Sequence, residues 1–274
     1  MKTPKHILEK IQEAKKKRLK RLDLSSDPGT PDDQKLTTIP VEVFELEQLE
    51  VLNLGDNLLT FVPKSILRLR NLTSLDLGNN QLETIPDTIT QLRNLTSLGL
   101  GYNRLKAIPE WIAQLHNLTS LDLGRNQLTA VPEVIAQLQN LTSLDLRDNQ
   151  LTTVPVVIAQ LRNLKHLILD SNRLTTVPSV LFQLSNLALL DLYNNHIKEI
   201  PTHIIRLGNL EELRLSKNEL NTLPKNFGAL KLLRKLALNN NRFTEIPDGI
   251  FDLPALTSLE INNWDPSAAN RNQI

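Results

Sequence analysis

The chain has no cysteine among its 274 residues. No disulfide can staple it and no thiol can act as a nucleophile, and the composition fits a reducing compartment. Phe, Trp and Tyr together supply 4% of the residues, so the core must be aliphatic. No apolar run approaches the roughly 20 residues of a membrane-spanning helix. The opening MKTPKHILEKIQEAKKKRL carries too many charges to hold the apolar segment of a secretory signal. A cytoplasmic protein with no membrane span is expected. A strong overall charge is missing as well, the net being +1. There is no P-loop, no H-E-x-x-H and no C-x-x-C. The five histidines, His6, His116, His166, His196 and His203, lie on different repeat positions, and no carboxylate or nucleophile recurs at one offset from them all. Gly99–Arg104, GLGYNR, lacks the third glycine of a dinucleotide turn. His166 with Asp170 is a polar pair and too little for a mechanism. No enzyme, cofactor or metal site is expected.

What the chain does have is one pattern copied along its length. Asparagine recurs at Asn57, Asn80, Asn103, Asn126, Asn149, Asn172, Asn195, Asn218 and Asn241, each 23 positions after the last. The copy from Leu118 to Leu138, LTSLDLGRNQLTAVPEVIAQL, shows the role of each position. Leu121 and Leu123 alternate with Ser120, Asp122 and Gly124, the period of two of a strand with one buried face. Asn126 ends the strand, where its amide can bond backbone groups that a tight turn leaves unpaired. One such residue per rung predicts a ladder of buried amides. Pro132 suits the first position of a helical turn, since it has no amide hydrogen to lose. Pro132, Ile135 and Leu138 then fit a short 3₁₀ or α segment with its apolar side inward. Strands stack about 4.8 Å apart, whereas helices prefer roughly 8–10 Å. The stack should therefore bend with its strands on the inner side. No single repeat buries enough to stand alone, so neighbours share a core.

The motif L-x-x-L-x-L-x-x-N-x-L, read here at Leu118, Leu121, Leu123, Asn126 and Leu128, resembles the leucine-rich repeat family. The resemblance implies an α/β solenoid: a right-handed horseshoe with a concave parallel β-sheet and short 3₁₀ or α segments on the convex side. It also implies a module that binds a protein partner on its concave face, in intracellular signalling or scaffolding. The fuller lattice L-x-x-I-P-x-x-I-x-x-L-x-N-L is similar to the Ras-associated scaffold group and to the repeat region of Roco proteins. A small GTPase or a domain of a larger polypeptide would then be the partner. Excision from a Roco-type GTPase or kinase is one alternative reading and a bacterial effector binding host proteins is another. The ligase effectors of this shape need a catalytic cysteine, which is missing. The near-identical central repeats also fit a consensus-like scaffold with no native ligand.

The chain divides into an N-terminal helical cap (1–20), a repeat domain of about ten repeats (21–264), and a tail (265–274). Ile7, Leu8, Ile11 and Ala14 make one helical face after Pro4. Residues 1–21 hold nine Lys/Arg against two Glu. That basic run reads as a solvated helix face, since no aromatic accompanies it for base stacking, and nucleic acid is not an expected partner. The first repeat, Leu19, Leu22 and Leu24, places Asp27 where the asparagine should be. An insertion over 25–34, rich in Ser, Asp, Pro and Gly, reads as a loop. Asn71, Asn94, Asn117 and Asn140 form N-x-T sequons that fall out of the repeat itself. The last rung places Trp264 at the asparagine position, and an open final edge could support weak self-association.

The outward strand positions change along the chain. They read Ser74, Asp76; Ser97, Gly99; Ser120, Asp122; Ser143, Asp145 in the uniform half. They then become His166, Ile168, Asp170; Leu189, Asp191, Tyr193; Glu212, Arg214, Lys217; and Lys235, Ala237, Asn239. Monotonous rungs tell a partner little, whereas apolar Ile168, Leu189 and Tyr193 rimmed by charge resemble an interaction patch. The expected partner-binding residues are thus His166, Ile168, Asp170, Leu189, Asp191, Tyr193, Glu212, Arg214, Lys217 and Lys235. Tyr102, Arg125 and Arg147 join them from the central rungs.

Overall fold

A computed structural model describes residues 3–262. Two compact units divide the chain, Met1–Leu144 and Asp145–Ile274. The first unit begins with helix α1 (Lys5–Lys17) and carries strands β1 (Arg21–Asp23), β2 (Val51–Asn53), β3 (Ser74–Asp76), β4 (Ser97–Gly99) and β5 (Ser120–Asp122). A further strand, β6 (Ser143–Asp145), spans the point where the sequence passes from one unit to the next. The second unit carries β7 (His166–Ile168), β8 (Leu189–Asp191), β9 (Glu212–Arg214), β10 (Lys235–Ala237) and β11 (Ser258–Glu260). Within each unit the strands pair parallel in chain order. Leu22, Leu52, Leu75, Leu98 and Leu121 stand in register in the first. Leu167, Leu190, Leu213, Leu236 and Leu259 do so in the second.

Each return segment is a 3₁₀ turn, which decides between the two forms the spacing allowed. Its bonds run three residues back, as from Ile66 N–H to Pro63 O at 3.0 Å and Ile112 N–H to Pro109 O at 3.0 Å. Proline opens the turn because its missing donor is one the turn does not use. Each five-residue 3₁₀ turn buries an inward isoleucine, Ile66, Ile89, Ile112, Ile135 or Ile158, joined by Ala113 and Ala136 in two of them, and ends on a buried leucine. The core is therefore chiefly aliphatic and distributed rung by rung, with Phe44, Phe182, Phe227 and Phe243 buried among the leucines and isoleucines. Among the described residues no helix is long and apolar enough to cross a membrane.

The asparagine ladder closes each rung. Asn80 accepts from Leu59 N–H at 2.9 Å and donates to Leu54 O, Leu77 O and Gly78 O at 3.0–3.1 Å. Asn126 and Asn195 repeat the same bonds in their own units. The residue before each ladder asparagine is left-handed, from Asp56 at φ 56° to Asn240 at φ 57°. A side chain there costs about 1–2 kcal/mol, offset by the bonds the turn allows the amide to make.

Two features depart from the sequence expectation. Asp27 does not take the ladder position. It is exposed, and the Ser26 hydroxyl meets Asn57 Oδ1 at 3.2 Å instead. The insertion leaves the lattice immediately after Leu24, so only the shorter, earlier side chain faces inward. Leu36 N–H returns to the same Asn57 Oδ1 at 2.9 Å, and the insertion is a detour pinned at both ends by one amide.

The sequon asparagines are also more than leftovers of the repeat. Asn94 Nδ2 donates to Arg70 O at 3.0 Å, Asn117 to Arg93 O at 2.8 Å and Asn140 to His116 O at 2.9 Å. They form a second ladder at the turns that lead into the strands.

At the N-terminus, α1 buries Ile7, Ile11 and Ala14. Lys15, Lys16 and Lys17 occupy its last turn, where the helix dipole favours positive charge. Lys15 and Lys20 pair with Glu45 and Glu50 at 2.6 Å. At the other end, Leu259 is 38% exposed while Leu236 is 1% exposed. Trp264 and the tail over 265–274 lie outside the described residues.

Candidate functional site

The register of the second unit sets its outward side chains in rows. His166, Leu189, Glu212, Lys235 and Ser258 make one row. Ile168, Asp191, Arg214, Ala237 and Glu260 make the next. An open basin of about 710 Å³ lies on this face, lined in part by Arg147, Asp170, Asp191, Tyr193, Glu212, Arg214 and Lys235. Those seven were all expected from the sequence. His166, Ile168, Leu189 and Lys217 stand outside the lining, though Lys217 Nζ sits 5.1 Å over the Tyr193 ring. Tyr102 and Arg125 belong to the first unit, where the Arg125 guanidinium lies 4.5 Å over the Tyr102 ring. Ser216, Asn240, Ser258 and Glu260 also line the basin and were not singled out. Extending the 23-residue rows through the final rung is the signal that would have found Ser258 and Glu260.

Asp191 corrects the picture of a solvent-facing row. It is 5% exposed. Its Oδ1 accepts the Tyr193 N–H at 3.0 Å and its Oδ2 accepts Arg214 Nη1 at 3.0 Å. The cause is local. A strand that runs straight into a left-handed turn leaves the N–H two residues on without a strand partner, and a carboxylate at the strand end closes it. Asp76 does the same for Gly78 N–H at 2.8 Å and Asp122 for Gly124 N–H at 2.8 Å. Asp145 does so for Arg147 N–H at 3.0 Å. Gly99, where the pattern calls for Asp, leaves room for a neighbour, since a Cβ there would lie 2.6 Å from Asp76 Oδ1.

Arg214 is the hub of the basin. Its Nε donates to Glu212 Oε1 at 2.6 Å, and Lys235 Nζ stands 3.4 Å from Glu212 Oε2. Burial would raise the Glu212 carboxyl, but the bonds and charges of Arg214 and Lys235 outweigh it and hold the group below its ordinary value. Arg214 is likewise held above its usual value: burial works against its charge, and its two carboxylate partners prevail. Asp191 is pushed up by burial, despite the opposing bond from Tyr193 and the charge of Arg214. Asp170 is pushed up by burial and by the neighbouring Asp191 charge, and receives the Ser171 hydroxyl at a long 3.3 Å. Arg147 binds back to Asp145, its Nε at 2.7 Å from Oδ2. The Ser216 hydroxyl is buried with no hydrogen-bond partner.

The basin presents fixed charges of both signs beside one aromatic ring. Among the described residues no group of three or more His, Asp or Glu could hold a metal ion.

The chain belongs to the leucine-rich repeat family. The leucine rich repeat pattern matches eight overlapping stretches that run from residue 32 to residue 263. None of the curated proteins matches the chain. Among solved structures, it is similar to a leucine-rich-repeat protein of Leptospira interrogans at 30% identity. That match covers 97% of this chain and 89% of the other, with TM-score 0.52. It is also similar to the ectodomain of GASSHO1/SCHENGEN3, a plant membrane receptor kinase of Arabidopsis thaliana, solved with Casparian strip integrity factor 2. Identity there is 27% over 82% of this chain, with TM-score 0.63. The plant peptide hormone receptor RGFR1, solved with RGF2, matches at 28% identity over 82% of this chain, with TM-score 0.65. The chain spans 34% and 41% of those two receptor chains.

Proposed function

We propose that the chain is a protein-recognition module whose partner docks on the strand face of the second unit. The observation that carries this reading is the Arg214 hub, which gathers Asp191, Glu212 and Lys235 around an open basin beside Tyr193. Aromatic and arginine side chains held in place before binding lose little entropy on association, and such groups dominate interface energetics. Half-buried Ile168 and Leu189 add apolar area on the same face. The two receptors solved with their ligands, and the family to which the chain belongs, support protein or peptide as the class of partner.

The test uses random peptides displayed on phage and selected on the intact chain. Selected peptides should bind at least about tenfold more weakly to the Tyr193→Ala plus Arg214→Glu variant, the loss expected for removing central anchors. Undiminished binding to that variant would overturn the reading.

A further inference from the structure

The first unit carries a second surface with different chemistry, well apart from its strands in the repeat. It is the line of turns that lead from each 3₁₀ return into the next strand. Arg70, Arg93 and His116 occupy the same repeat position in three successive copies, 23 residues apart. The second asparagine ladder holds them in a column. Asn94, Asn117 and Asn140 each donate to the backbone carbonyl of Arg70, Arg93 and His116 at 2.8–3.0 Å, so each turn is pegged to the next. The amide fixes the backbone and leaves the side chains of Arg70, Arg93 and His116 free to act.

These side chains line an open groove of about 1000 Å³, together with Thr90, Gln91 and Gln114. The lining contains no carboxylate and no apolar side chain. Neither arginine belongs to any of the ion pairs found among the described residues. A wholly polar, open groove does not suit a small apolar ligand, which needs an enclosed and largely apolar site. Two guanidiniums and an imidazole with no carboxylate in the lining suit carboxylates or phosphates, which arginine grips in a two-bond fork.

The amides narrow the choice further. Gln91 and Gln114 each offer a donor and an acceptor. A peptide main chain needs both, whereas a polyphosphate or a DNA backbone presents acceptors alone. Spacing agrees. Adjacent rungs lie about 4.8 Å apart at the strands and no closer at these turns, and same-face side chains of an extended peptide about 6.8 Å apart, a mismatch the arginine stem spans. The geometry points to an acidic peptide segment, extended across the rungs, as the ligand of this groove. Its carboxylates lie on Arg70 and Arg93 and its main chain against Gln91 and Gln114. This groove is independent of the basin on the second unit and does not rest on it.

The test is calorimetric titration of the full chain with a synthetic octapeptide of alternating Glu and Ser, blocked at both ends, at low and at moderate salt. Three proteins are compared: the natural chain, Arg70→Gln plus Arg93→Gln, and a charge-matched control, Arg104→Gln plus Lys106→Gln, whose positions do not line the groove. All substitutions lie on exposed side chains, and circular dichroism verifies each fold. Saturable binding is expected, weakened at least about tenfold by the groove variant and less than about twofold by the control. Moderate salt should weaken it too, as screening requires. In a second arm, Gln91→Ala plus Gln114→Ala should weaken the peptide about threefold or more and leave binding of a linear polyphosphate of equal charge unchanged.

Absence of saturable binding by the natural chain would overturn the inference. So would equal losses in the groove and control variants, which would mean diffuse attraction. Tighter binding of the polyphosphate than of the peptide would overturn the assignment of a peptide ligand.

Discussion

The two units are built on one lattice and differ in what they do with the positions the lattice leaves free. In the first, β3 and β5 present the same Ser and Asp pair, and the Asp of each is committed to closing its own turn. In the second, β7 to β10 replace that pair with His166, Ile168, Leu189, Glu212, Arg214 and Lys235, while Asp191 keeps the closing role. Arg214 then uses the spare oxygen of that structural carboxylate as its anchor. The charged cluster of the second unit is thus grafted onto a group the backbone already holds still. In the uniform unit the outward positions of β3 to β5 carry Ser, Asp and Gly, and an arginine on that face, Arg125, lies over the Tyr102 ring.

If the frame is common to both units, breaking it should cost both alike. Asn126→Ala and Asn195→Ala each strand a buried Leu N–H and several carbonyls. Each should lower stability by about 3 kcal/mol, given about 1–3 kcal/mol per buried group left unpaired. Urea unfolding measures both, and a near-neutral result in either unit would show that the ladder carries different weight in the two.

A smaller effect separates the closing carboxylates. Asp76→Ala should cost about 1 kcal/mol for one bond at an exposed site, and Asp191→Ala about twice that, since the side chain is buried and also holds Arg214. Equal losses would mean that the Arg214 contact adds nothing to the turn. Arg214→Gln itself should change stability by less than about 1 kcal/mol, because its side chain is about half exposed and its ion pairs are screened by solvent. Its consequence belongs to binding.

The smallest effect is a pH signature of the basin carboxylates in the second unit. Burial, with the Asp191 charge behind it, raises the folded value for Asp170 above the unfolded one. The stability this group confers is therefore full below its unfolded value and lost as pH rises through the folded one. Asp170→Asn removes the cost of burying the charge. The variant should be more stable than the natural chain at neutral pH, and the gap should close as pH falls through the raised value. Glu212 runs the other way: its folded value is lowered, so its contribution is present above the unfolded value and is lost as pH falls. A gap for Asp170→Asn that stays constant with pH would remove burial of a charge as the explanation.

Spacing alone made the frame readable. Leu121, Leu123 and Asn126 announce a buried strand edge and a closed turn because only one arrangement satisfies all three at once. Most of the basin was readable too, since the rows follow from counting in steps of 23. What a pattern of letters cannot convey is a side chain turning back on its own backbone. Asp191 reads as an outward residue and proves to be buried, and Asn94 and Asn117 read as repeat filler and prove to peg the turns. Asp27 fails for a related reason, because a register counted through an insertion assumes the chain is still on the lattice.

The contrast between the two units can be measured by titrating the isotopically labelled chain with a selected peptide that contains no acidic residue and mapping the backbone amide shifts. Shifts concentrated in β8, β9 and β10 and at the Tyr193 and Lys217 turns are expected. Shifts concentrated in β3, β4 and β5, with the second unit silent, would contradict the assignment of recognition to the charged face.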